Sequence, residues 1–196
     1  NDGILYGNSV APSEDFDIGS EKTLTIEEEQ NLIIPEDVTM TSEGTINNSG
    51  KIYVDGTFTG TADNTYYSLT LVNATADQNI SVYNDKTYSK AGSKITLNAI
   101  PPEGYAFDKW NVSPSSVTID ENNSFTMPST TLAITAQCKD VKDPVISGIE
   151  NGKTYCAAQT VTIIEDKLES VTVNGKGVPF DGNNQFTLSP SDGEQT

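Results

Sequence analysis

No apolar run in this chain lasts longer than four residues, and most are broken by a polar residue at every second position. In the first third, Leu24-Thr25-Ile26, Leu32-Ile33-Ile34, Val38-Thr39-Met40, Thr45-Ile46, Lys51-Ile52-Tyr53-Val54 and Thr57-Phe58 recur every six to eight residues. Turn residues separate them: Pro35-Glu36-Asp37, Ser42-Glu43-Gly44, Asn47-Asn48-Ser49-Gly50 and Asp55-Gly56. A strand of three or four residues with two apolar side chains on one face cannot bury that face alone. Stacked copies can share a core. The pattern therefore predicts an all-β chain in which the first segment is a stack of short coils.

Longer alternating strands follow at Ser68–Val72, Ile80–Tyr83, Lys94–Ala99, Val117–Ile119 and Leu132–Ala136. Pro101-Pro102-Glu103-Gly104 and Asp120-Glu121-Asn122-Asn123 supply turns. After Asp143-Pro144 a third β segment is arranged around an Asn174-Gly175 hairpin turn. The hydrophobic content of 35% argues against one large core and for three small modules, bounded as 1–62, 63–140 and 141–196. Charge shifts at these boundaries. Thirteen acids and two lysines fall in residues 1–65, six acids and five lysines in 66–139, and nine acids and four lysines in 140–196.

Each segment resembles a known family. The phrase LIIPEDVTMTSEGTINNSGKIYVDGTFTG is similar to the short right-handed β-solenoids of bacterial surface proteins, with room for about two coils. In the middle segment the matching features are Gly92, Ala99, Pro102, the Gly104-Tyr105-Ala106-Phe107-Asp108-Lys109-Trp110 run, Phe125-Thr126-Met127-Pro128 and Ile134-Thr135-Ala136. On these it resembles the divergent relatives of the internalin-type B repeat. That resemblance implies a β-grasp-like or small-sandwich module, used in tandem as a spacer or adhesive unit of secreted and wall-attached bacterial proteins. The last segment is similar to bacterial Ig-like modules. Further strands follow the corresponding point in that family, which implies an incomplete sandwich with a bare sheet edge.

The missing side chains narrow the chemistry. The chain has no His, and its eleven basic residues are all Lys. Ser/His/Asp and Cys/His nucleophilic systems, His-containing metal sites and bidentate Arg clamps on phosphate are therefore absent. The formal charge of -17 opposes nucleic acid and anionic lipid. No run approaches the roughly 18 apolar residues of a membrane span. Gly148–Thr154 has three residues where a phosphate loop needs four, and reads as a turn. Glu27-Glu28-Glu29 reads as a solvated turn rather than a paired-carboxylate site. Asp120–Asn123 and Asp181–Asn184 lack the ligand alternation of a calcium loop and read as hairpin tips.

The aromatics are the remaining candidates. Burying Trp110 would remove roughly 150–250 Å² from water. That is worth about 4–6 kcal/mol at most, too much for a small module to forgo. Phe107, Trp110 and Phe125 are accordingly expected in the core. Strand parity puts Tyr105 and Phe107 on one face and Trp110 on the other, unless a bend at Asp108-Lys109 brings Trp110 back. Tyr66, Tyr67, Tyr83 and Tyr88 are candidates for an exposed contact patch, with half-buried edge tyrosines as the competing reading, and Tyr105 is a further candidate contact. Cys138 and Cys156 flank the second boundary, either bridging the two modules or lying as two buried thiols.

Together these features point to a non-enzymatic extracellular or wall-associated bacterial protein that acts as a spacer or presentation unit. No catalytic residue, metal or cofactor is expected, nor any nucleic acid or membrane insertion, and the chain is expected to be a monomer. The expected partner is a host or plant glycan or a host or matrix protein. The alternative is a carbohydrate-binding region of a larger secreted enzyme.

Overall fold

A computed structural model describes residues 3–115 and 117–190. About half of the chain is strand, in several small sheets. Two compact units emerge, residues 1–140 and 141–196.

The first unit begins with three stacked coils, each contributing a strand to each of three parallel sheets. Gly3–Ile4, Thr23–Ile26 and Thr45–Asn48 form one face, and Phe16–Ile18, Thr39–Ser42 and Thr57–Thr59 another. The remaining face stacks Ser9–Val10, Asn31–Ile34 and Lys51–Val54. The sequence pattern supported about two coils. The structure has three, because two or three residues per strand suffice for a coil that leans on its neighbour. Inward columns run Leu24 over Ile46, Leu32 over Ile52 and Met40 over Phe58. Ile26, Leu32, Ile34, Met40, Ile52 and Val54 are almost completely buried.

The corners explain the spacing of six to eight residues. In the second coil, each corner is a four-residue turn, closed by Lys22 N–H to Gly19, Gln30 to Glu27 and Val38 to Pro35. In the third coil, each corner is a residue followed by Gly, and both amides donate to one carbonyl of the coil beneath. Glu43 and Gly44 donate to Ile18, Ser49 and Gly50 to Ile26, and Asp55 and Gly56 to Ile34. The narrower corner shortens the repeat. It also brings backbone onto backbone: a Cβ on Gly50 would lie 2.2 Å from the Gln30 carbonyl oxygen and 2.5 Å from that of Glu27.

The expected joint at 62/63 is crossed by hydrogen-bonded strands. Thr65–Val72 continues the third face, pairing in parallel with Lys51–Val54 through residues 65–67. Its far half pairs in parallel with Leu132–Asp140 through residues 69–72. One hydrophobic core accordingly runs from Leu5 to Ile134. Ala74–Ala76, Lys94–Ala99 and Ser124–Thr126 form a separate sheet, and Tyr105–Ser113 pairs antiparallel with Leu132–Asp140. Val117–Ile119 is not a strand, although Val117 and Ile119 pack on the core. No helix crosses these sheets among the described residues, so the grasp-like form of the module lacks its helix.

The second unit has a three-stranded antiparallel sheet of Val145–Ser147, Gln159–Ile164 and Gln185–Leu188. Beside it is the ribbon Thr172–Val173 and Lys176–Gly177. The ribbon turns at Asn174-Gly175 with φ of 51° and 74°, the positive values a two-residue turn of this hand requires. Val161, Ile163 and Phe186 form its core.

Candidate functional site

Inward parity on the third face is set by Ile52 and Val54, which leaves Tyr53 pointing outward. Outward residues on a solenoid face are normally solvated, yet Tyr53 is only 2% exposed. Its cover comes from three other tyrosines. Tyr66 is its register partner on the next strand, with ring centroids 5.7 Å apart. Tyr83 stacks flat on it at 4.3 Å and 9°, and Tyr88 meets it tilted at 4.8 Å. Lys51 lies 5.9 Å from the Tyr66 ring centre, within cation–π range.

Tyr83 and Tyr88 belong to the hairpin formed by Ser81–Tyr83 and Lys86–Lys90, which turns through Asn84 and Asp85 in left-handed conformations. Lys86–Lys90 is hydrogen-bonded to Thr65–Val72. The hairpin also reaches back over the coils, because the Tyr83 hydroxyl shares a 2.8 Å hydrogen bond with Ser9 of the first coil. On the hairpin's second strand, two side chains reach Asp55 in a third-coil corner. Lys86 Nζ lies 2.8 Å from Asp55 Oδ2, and the Tyr88 hydroxyl donates to Oδ1 at 2.9 Å. Burial and the neighbouring Asp55 carboxylate both push the Tyr88 phenol well above its ordinary range. Tyr67 faces the opposite side, into the core, where burial also raises its pKa despite a hydrogen bond with Ser129.

The candidate exposed patch is thus corrected, and the competing reading of half-buried edge tyrosines describes Tyr66 and Tyr83 but not Tyr67 and Tyr88. Tyr67 and Tyr88 are buried at 4% and 1%, Tyr66 and Tyr83 are half-buried, and the four do not share one open surface. Tyr105 is half-buried on the strand Tyr105–Ser113, outside the cluster. Tyr53 was counted only as a strand residue by sequence. The signal that could have singled it out is its position between two inward aliphatics, thirteen residues before another outward tyrosine.

Phe107 and Trp110 stand on either side of a β-bulge: the register with Leu132–Asp140 shifts between Phe107 and Lys109. The extra residue, Asp108, brings the two rings together at 4.7 Å. Trp110 is half-buried against the core, and its indole N–H donates to Asn123 Oδ1 at 2.9 Å. Phe107 is half-buried too, whereas Phe125 is 4% exposed and paired with Ile95. Of the three expected core residues, Phe125 is the plug and the other two lean on the module's flank.

Asp120 and Asp181, expected at hairpin tips, instead cap turns that lead into Ser124–Thr126 and Gln185–Leu188, because residues 117–119 and 178–180 are not strands, and they do so with one pattern. Asp120 Oδ1 accepts from the amides of Asn122 and Ser124, and Asp181 Oδ1 from those of Asn183 and Gln185. Asn123 and Asn184 take positive φ at the same place. The turn at Asn151-Gly152 places Glu150 within 3.1 Å of Lys153, which leaves no anion cradle. Among the described residues no group of three acidic, Cys or His side chains could hold a metal ion. Both cysteines are free thiols. Cys138 is half-buried and Cys156 exposed, so the reading of two buried thiols does not hold for Cys156. An open cleft of about 640 Å³ runs beside Ser68–Leu71, flanked by Glu36, Asp55, Asp85 and Lys86.

Residues 67–142 match the family model of the divergent InlB B-repeat domain. Comparison with curated proteins and with solved structures finds no match. The B-repeat match begins inside the strand Thr65–Val72 and contains the whole hairpin with Tyr83 and Tyr88, as well as Phe107, Trp110 and Phe125. Tyr53 and Tyr66 precede it. The tyrosine cluster is therefore the place where the segment matching the B-repeat model grips the coils before it.

Proposed function

We propose that the chain is a non-catalytic spacer and presentation segment of a bacterial surface protein, displayed outside the cell or on its wall. The observation that carries this reading is the B-repeat match over residues 67–142, a domain type associated with bacterial surface proteins. The geometry around it supports the same reading. Four tyrosine rings, Tyr53, Tyr66, Tyr83 and Tyr88, are engaged with one another rather than laid out as an open saccharide platform, which favours this reading over the carbohydrate-binding alternative. The acidic surface suits a segment that must stay solvated. An Ig-like second unit, with its sheet Val145–Ser147, Gln159–Ile164 and Gln185–Leu188, is part of this proposal. A partner such as a glycan or matrix protein would engage exposed loops. No helix among the described residues is long and apolar enough to cross a membrane.

Protease treatment of intact producing cells tests the proposal. Peptides from residues 67–142 should appear in the supernatant before lysis, and an internal marker protein should not. Release only after lysis would reject surface display.

A further inference from the structure

We infer that the hairpin of residues 81–90 is a clamp that the B-repeat segment lays over the outer face of the coil stack, with Tyr83 joining the first coil to the third. The register of the third face places Ser9, Asn31 and Lys51 in one outward column, and Ile33 and Tyr53 in the next. Tyr83 rests its ring on Tyr53 of the third coil while its hydroxyl bonds Ser9 of the first. Adjacent strands in a sheet are about 4.8 Å apart, so the strands that carry the two anchor points are two rungs, close to 10 Å, from one another. One side chain thus spans the middle coil.

The first coil needs such a tie. Its strands are two, two and three residues long, against four in each strand of the second coil. Among the described residues it is hydrogen-bonded to a neighbouring strand on one side only in each of the three sheets. Elements with few bonds and little buried surface open first. The strand across from Tyr83 is fixed at Asp55, where Lys86, the register partner of Tyr83, and Tyr88 converge on one carboxylate whose side chain is 10% exposed. A hairpin anchored through both of its strands and hydrogen-bonded along Thr65–Val72 is held against the coils it crosses. The inference does not depend on where the protein resides, so it can fail while the surface reading stands, and the reverse.

Hydrogen exchange on the full chain, read by mass spectrometry, tests it by comparing residues 3–18 with the strand Lys94–Ala99 as an internal reference. Tyr83→Phe removes only the hydroxyl and should speed exchange in residues 3–18 roughly fivefold, the loss of about one net hydrogen bond. Tyr83→Ala also removes the stacked ring and should speed it more than tenfold, with Lys94–Ala99 unchanged. Val82→Ala, on the opposite face of the hairpin and 67% exposed, should leave both segments as they were. Unchanged exchange of residues 3–18 in both Tyr83 variants would overturn the clamp. So would an equal acceleration of Lys94–Ala99, which would mark Tyr83 as a general stability residue.

Discussion

Replacing Gly50 with Ala adds one carbon where two coils touch, and the structure gives the cost. The new Cβ would lie 2.2 Å from the Gln30 oxygen and 2.5 Å from the Glu27 oxygen, against an ordinary contact of 3.4 Å or more. Both obstacles are backbone, so neither can rotate aside, and the corner must open by about 1 Å. Overpacking of this kind costs about 1–3 kcal/mol. Opening also stretches the bonds from Ser49 and Gly50 to Ile26 and from Lys51 to Gln30, at 2.8, 3.3 and 3.0 Å. Each is worth about 1 kcal/mol net, and the loss of one or two brings the total to roughly 2–5 kcal/mol. In a body of this size that is a fall in Tm of roughly 6–15 °C. Gly19→Ala is the matched control. Its Cβ would meet only Lys22 Cγ at 3.9 Å, and its effect should stay within about 0.5 kcal/mol. Thermal melts followed by far-UV circular dichroism separate the two. A Gly50→Ala protein as stable as the parent, or a Gly19→Ala protein equally damaged, would refute the close-packed corner.

Three further outcomes follow from named contacts. Tyr88 and Tyr67 are buried as neutral phenols, so their pKa values in the folded state lie above the unfolded value of about 10. Their contribution is therefore fully present below pH 10 and is lost as pH rises through that value toward the folded pKa values. Denaturant midpoints measured from pH 8 to 11 should fall above 10, and Tyr88→Phe should reduce that fall while lowering stability at neutral pH by about 1–2 kcal/mol through loss of the bond to Asp55. Phe125→Ala should cost about 3–5 kcal/mol in urea unfolding, and Phe107→Ala clearly less, since only Phe125 is fully enclosed. Asp120→Ala frees two turn amides and should cost about 1–2 kcal/mol, with Asp120→Asn largely restoring the loss.

The short repeating strands were legible because period-two alternation and turn residues are local signals. The same holds for the Asn174-Gly175 turn and for the two Asp-capped turns, whose bonds span four residues or fewer, although neither Asp-capped turn joins two strands as a hairpin. The first coil was not legible: Gly3–Ile4 and Ser9–Val10 carry too few apolar side chains to register as strands, and their stability comes from the coil they rest on. The fate of the tyrosines was also hidden. Whether Tyr83 faces water depends on Ser9 and Tyr53, which are 74 and 30 positions away, and alternation cannot say where a hairpin folds back. The bulge at Asp108 lies between these cases. Parity alone placed Phe107 and Trp110 on opposite faces, and the aromatic pair itself was the clue that the strand must bend.

The central claim is that these aromatics hold the chain together and do not serve a ligand. It is tested most directly through Trp110, the sole tryptophan. Its emission and acrylamide quenching should be those of a half-buried indole, and a panel of soluble host and plant polysaccharides should leave both unchanged. A saturable, saccharide-dependent shift that disappears in Tyr105→Ala would contradict the account and make the B-repeat segment a carbohydrate-binding domain.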